Sequence, residues 1–159
     1  MDMFERIKEQ EEQLQFVKFD NTIALEIGYG MMKKAMECNL PIAIDIMRLR
    51  QQIFHAALAG TTADNDYWLK RKINTVYHFS ESSLMIQMKL ERNYDTLEEA
   101  WGLSGEEYAA AGGAFPVKVR GVGMIGTIAV SGLTSEEDHQ FIVDFLREYL
   151  WSEKEKRND

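Results

Sequence analysis

Residues 112–139 read GGAFPVKVRGVGMIGTIAVSGLTSEEDH. A glycine pair leads into a short strand over Phe115 to Arg120, Gly121 to Gly123 reverse the chain, and Met124 to Ser131 follow as a strand apolar on both faces. Such a strand belongs at the centre of a sheet with cover on both sides. Thr134 and Glu137 have the spacing of a capping box, in which a hydroxyl serves one free helix amide and a carboxylate reaches back to another. The helix so capped turns Ile142, Phe145, Leu146, Tyr149 and Leu150 inward, and residues 152–159 read as a solvated tail.

Working outward, Pro41 to Met47 and Gln51 to Ala57 predict a second hairpin, with Ile42, Ile44 and Ile46 on one face and Ala43, Asp45 and Met47 on the other. Its turn has neither Gly nor Asn where positive φ is wanted. Asp20 or Asn21 caps a helix to about Glu37, with Ala24, Ile27, Met31 and Ala35 on its stripe and Leu25, Met32 and Met36 widening it. A third helix starts near Asp64 and a fourth covers Ser80 to Arg92. Residues 2–13 read as a short surface helix, Leu14 to Phe19 as an edge strand, and Asp95 to Ala111 as short helical turns.

The chain of 159 residues is 45% apolar and has two prolines, which suits one domain burying roughly 70% of its unfolded surface. Its net charge of −8 repels phosphate backbones, so nucleic acid is not an expected partner. The single cysteine, Cys38, excludes an internal disulfide. With no apolar leader and no run of about 18 apolar residues, a cytoplasmic protein without a membrane span is expected.

Gly121, Gly123 and Gly126 satisfy the G-x-G-x-x-G spacing, but a dinucleotide fold needs a helix after it, and Thr127 to Val130 favour strand. Trp68, Lys72, Thr75 and Val76 recur at helical spacing, which brings Lys72 close to the inward stripe. It must find a carboxylate or an anionic ligand there, or carry its ammonium out to water. With Asn65 and Arg71 it marks a candidate anion pocket. His55, His78 and His139 lack close metal-ligand spacing, so no metal is expected. His55 on a strand suits a hydrogen bond within the fold. His139, among helix N-terminal amides, is biased towards its neutral form.

The segments PIAIDI (41–46), QQIFHAALAGTTADNDYW (51–68), RKINTV (71–76), SESSL (80–84), GGAFPVKVRGVGMIGTIAVSGL (112–133) and EDHQFIV (137–143), in this order, resemble the haem-degrading-domain family. That family includes HbpS- and GlcG-type proteins and the C-terminal domain of some cobalamin adenosyltransferases; the likeness is greatest to its cytosolic branch of uncharacterised proteins. The resemblance rests on Lys72 with Thr75, on Gly112, Gly113 and Pro116, and on Gly126 to Gly132. It implies an α/β fold, a profilin-like three-layer α/β/α sandwich with a central antiparallel sheet, and a high-order homo-oligomer. It also implies a small-molecule ligand, with haem or another tetrapyrrole as the candidate cofactor. The expected pocket lies near the start of the third helix, with His55, Asn65, Trp68, Arg71, Lys72, Thr75, Gly112, Gly113, Phe115, Ser131 and His139 as candidate ligand-binding residues. The alternatives are a structural assembly unit and an enzyme acting on a small anionic metabolite through Lys72 and Arg71.

Overall fold

The computed structural model describes residues 1–158. Among them lie six helices and four strands: α1 (Met3–Gln13), α2 (Asn21–Glu37), β1 (Ala43–Arg48), β2 (Gln51–Ala57), α3 (Ala63–Phe79), α4 (Ser83–Arg92), α5 (Leu97–Trp101), β3 (Ala114–Val119), β4 (Gly123–Ser131) and α6 (Ser135–Asn158). The strands form one antiparallel sheet in the order β2-β1-β4-β3. The two hairpins of the sequence therefore meet along β1 and β4, the two central strands.

Side-chain alternation divides the sheet into two faces. Ile42, Ile44, Ile46, Phe115, Val117, Ile128 and Val130 form a core with the inward stripes of α2 and α6. On the other face Ala43, Ala114 and Ala129 are small, and α3 lays Leu69, Ile73 and Val76 against them. The result is a three-layer α/β/α sandwich. Gly121 and Gly123 take positive φ in the β3–β4 turn, whereas Gly126 lies within β4, where a Cβ would collide with the Met47 carbonyl of β1. The glycine pattern is thus a turn and a close strand contact, with no helix behind it.

Several sequence expectations are corrected. Leu14 to Phe19 is no edge strand: Phe16 alone bridges β3 at Val119, because Leu14, Phe16 and Phe19 turn into the core. Leu25 and Met36 do not widen the buried stripe of α2; they are exposed, as is Tyr29. The β1–β2 turn supplies its positive φ from Leu49 and Arg50, held by Tyr77, whose hydroxyl accepts the Arg50 amide and whose ring lies 4.2 Å beneath the Arg50 guanidinium carbon. Residues 152–158, expected as a solvated tail, are exposed apart from the half-buried Glu153 and continue α6 as helix, and Asp159 lies outside the described residues.

Helix α1 is no mere surface helix. Ile7 packs on Leu84 and Met85 of α4, and two polar side chains are buried with it. Glu11 accepts the Ser82 amide at 3.1 Å and the Ser82 hydroxyl at 3.2 Å, and Gln10 Oε1 lies 2.7 Å from His139 Nε2 of α6. Burial pushes the Glu11 carboxyl up to about 7 and the His139 imidazole down to about 4. Their effects on stability oppose one another. Above pH 4.5 the unfolded chain releases the Glu11 proton that the fold retains to about pH 7, so this term is lost as pH rises through that window. Below pH 6.5 the unfolded chain protonates His139 while the fold resists until about pH 4, so this term is lost as pH falls. Glu11→Gln should therefore unmask a loss of stability on acidification, and His139→Gln a loss on alkalinisation, each of up to about 3 kcal/mol. Urea titrations across pH 4–7 read both, and a wild-type slope as steep as either variant's would refute the cancellation.

Candidate functional site

Helix α3 carries most of the residues that point to chemistry. Its N-terminus is set by Thr62, whose hydroxyl accepts the Asp64 amide, while Asn65 Oδ1 accepts the Thr62 amide at 2.9 Å. From this fixed start, the three consecutive cations of the sequence diverge: Lys70 faces solvent, Arg71 lies beside a surface groove, and Lys72 is buried.

Lys72 Nζ donates to Val130 O at 3.1 Å and to Asp138 Oδ2 at 3.0 Å, and Asp138 Oδ1 accepts the Leu133 amide at 2.9 Å. Burial pulls the lysine below its usual range and pushes the aspartate above its own, and the opposite charge of each restrains the other. The pair forms one wall of a cavity of about 240 Å³, together with Asn65, Trp68, Ser131 and Gly132. Gly113 leaves the room for it: a Cβ there would strike the Val130 carbonyl and the ammonium. Next to this cavity runs an open groove of about 1210 Å³, which shares Trp68, Ala111 and Ser135 with it. Leu90, Leu97, Leu103 and Ala109 to Ala111 give the groove an apolar wall, Tyr94 and Tyr108 add rings, Arg71 adds a cation, and Glu91, Asp95, Glu98 and Glu99 line the groove as well. The Arg71 guanidinium carbon lies 4.4 Å from the Trp68 ring centre and 5.0 Å from that of Tyr67, and Nε donates to Gly105 O at 2.9 Å.

The structure distributes the remaining sequence candidates. Thr75 Oγ1 is 2.9 Å from Ala109 O and 3.1 Å from the Ala109 amide, which ties the groove's far wall to α3. The Gly112 amide donates to Gln87, and Gly113 O accepts the Val130 amide, so both shape the backbone behind Lys72. Phe115 and His139 lie elsewhere. Their ring centres are 5.7 Å apart, with Phe115 in the core of the α2/α6 face and His139 lining a separate cavity of about 240 Å³ beside α1. His55 is held between two carboxylates, with Nδ1 3.1 Å from the buried Asp45 and Nε2 3.1 Å from Asp66 in the first turn of α3. It lines neither the groove nor the small cavity. Among the described residues no group of three or more His, Cys, Asp or Glu side chains is arranged to hold a metal ion.

Sequence reading missed Asp138 as the partner of Lys72, because 66 residues separate them, and missed the groove, whose lining comes from α4, α5 and the irregular 103–111 segment. One signal for Asp138 was present. An inward lysine needs a carboxylate, and the first turn of a capped helix is where one is electrostatically favoured.

Lys72→Met strands Asp138 as a buried carboxylate and should cost about 3–5 kcal/mol in urea unfolding. Lys72→Met/Asp138→Leu should recover most of that loss, since it removes both charges. A double variant no more stable than the single one would contradict this account of the pair.

The family model described as "Haem degrading protein HbpS-like" matches residues 19–147. A UPF0303 protein of Serratia proteamaculans is 42% identical over 149 residues, covering 94% of this chain and 92% of its own. One of Streptomyces coelicolor is 41% identical over 144 residues, covering 91% of each. Among solved structures, the Ybr137w protein is 28% identical with a TM-score of 0.85, over 92% of this chain and 86% of its own. HbpS itself, at 15% identity and a TM-score of 0.65 over 86% and 92%, shares the fold. The chain belongs to the HbpS-like haem-degrading-protein family and, by identity along nearly its whole length, to the UPF0303 proteins.

Proposed function

We propose that this chain is a small-molecule-binding protein whose ligand is a flat, carboxylate-bearing ring of the haem or tetrapyrrole class, held in the groove beside α3. The observation that carries the reading is Arg71. Its Nε is spent on Gly105 O and its plane rests on Trp68, which leaves the terminal nitrogens of the one cation among the groove's described residues to meet a ligand carboxylate, while the ring of the ligand lies on the apolar wall and away from Glu91, Asp95, Glu98 and Glu99. The small cavity suits this ligand less. Its 240 Å³ corresponds to roughly eight waters, at about 30 Å³ each, and Lys72 is already neutralised by Asp138.

Family membership supports the same class, and a fold relative at 12% identity has been solved as a PduOC:heme complex. The groove lining has no His, Cys or Met; Tyr94 and Tyr108 are its only phenols among the described residues. The residues fit a ring held by stacking, apolar contact and an arginine, and Tyr94 or Tyr108 would be the side chain able to ligate its iron. A bound haem would supply redox-active iron. The chain's part is to hold the ring and its carboxylates. The reading includes a cytoplasmic homo-oligomer, and the exposed Leu25, Tyr29 and Met36 on the outer side of α2 offer an apolar surface for assembly.

Haemin titrated into the pure protein should give a saturable Soret shift at micromolar concentration. Arg71→Ala and Trp68→Ala should each weaken binding roughly tenfold, the scale of one charge-assisted contact or one stacking platform, while His139→Gln leaves it unchanged. Unsaturable binding sinks the tetrapyrrole class, and an Arg71→Ala protein with wild-type affinity sinks the groove.

A further inference from the structure

A second large groove lies on the other side of the sheet, where the charge of the protein is locally reversed. Helix α6 presents Arg147, Trp151, Lys154 and Arg157 at helical spacing. Arg120 reaches the same place from the end of β3, and Lys34 from α2. These six side chains line an open groove of about 870 Å³. In a chain of net charge −8, its five cations face two carboxylates among the described residues of the lining, Asp144 and Glu148. Glu148 is 3.7 Å from Lys34, and Asp144 accepts Gln140 Nε2 at 2.7 Å. Arg120, Arg147, Lys154 and Arg157 are exposed and have no carboxylate within 4.0 Å among the described residues.

Cations in the last turns of a helix are explained by its negative end. That accounts for Lys154 and Arg157, but not for Arg147, three turns earlier, nor for Arg120 and Lys34 arriving from other elements. The wall opposite α6 is fixed as well. The segment through Gln15 and Val17 is stitched to β3 by Phe16, whose amide donates to Lys118 O and whose carbonyl accepts the Arg120 amide. Trp151 is 64% exposed between these cations, and none of them stacks on its ring. The groove thus combines unspent positive charge, a free indole face and a volume within the roughly 300–1,000 Å³ of small-ligand sites.

We propose that this groove binds a nucleoside polyphosphate, with its phosphates among Arg120, Arg147, Lys154 and Arg157 and its base on Trp151. Arginine forks match phosphate oxygens in pairs, and a base offers the flat partner that an exposed indole lacks. The site is separate from the groove beside α3, and the proposal does not depend on haem binding.

The test titrates the full chain with ATP, inorganic tripolyphosphate and adenosine at about 0.15 M salt, reading calorimetry and tryptophan fluorescence. Saturable ATP binding is expected, weaker at higher salt, with tripolyphosphate weaker and adenosine weaker still. Arg147→Glu/Lys154→Glu should lower ATP affinity roughly tenfold or more. Lys70→Glu, a charge reversal on the α3 side, should not. Trp151→Ala should weaken ATP roughly fivefold, within the range of one base stack, and leave tripolyphosphate unchanged. All these positions are exposed, and the circular dichroism of each variant confirms its fold; for a variant that misfolds, the ATP-against-tripolyphosphate ratio of the wild type decides. The proposal is overturned by unsaturable ATP binding, by a double variant that binds as the wild type does, or by equal affinity for ATP and tripolyphosphate.

Discussion

One buried ammonium joins all three layers of this protein. Lys72 belongs to α3 on one face of the sheet, Asp138 to α6 on the other, and Val130 to β4, one of the two central strands between them. The ion pair therefore passes around the end of β4, where the strand gives way to the turn that opens α6. Much of the local sequence serves it. Gly113 leaves room for the ammonium, Gly132 brings the chain across Pro41 with φ 147°, and Asp138 fixes the turn through the Leu133 amide. A hydrophobic pair of the same volume could give equal stability, without the hydrogen bonds that tie α3 and α6 to Val130 and Leu133 here.

The fold was legible where backbone constraint and periodicity agree. Gly121 and Gly123 define a hairpin, Asp20 caps α2 through the Ile23 amide, and the isoleucines of β1 fall on one face. Legibility failed where tertiary partners override local preference. Leu14, Phe16 and Phe19 look like strand but are drawn individually into the core, and α1 looks solvated because Gln10 and Glu11 are polar, although each is satisfied in the interior by a residue far along the chain. The site residues divide along the same line. Asn65, Trp68, Arg71 and Lys72 are near one another because a helix places them so. His55, Phe115 and His139 are distributed by strand alternation and helix packing to other parts of the molecule, and no spacing in the sequence encodes that.

The two large grooves differ in kind. The one beside α3 is lined by a segment with little regular structure, tied down by Thr75, Asn74 and Arg71 through the carbonyls of Ala109, Glu107 and Gly105. A wall held by side chains can adjust to the outline of a bulky ring. The one beside α6 is formed by a long helix and a strand end, so the backbone positions of its cations are fixed, while the exposed and unpaired side chains of Arg120, Arg147, Lys154 and Arg157 still have to be ordered on binding.

The turn between β1 and β2 has a further consequence. Leu49 and Arg50 hold positive φ without the backbone freedom of glycine, and left-handed geometry costs about 1–2 kcal/mol for each such residue. What offsets that cost comes from α3, in the ring and hydroxyl of Tyr77. The β3–β4 hairpin carries its own glycines and needs no such help. The two halves of the sheet therefore differ in what their turns depend on: the β3–β4 turn is served by its own glycines, and the β1–β2 turn leans on α3, which couples this corner of the sheet to the packing of a helix.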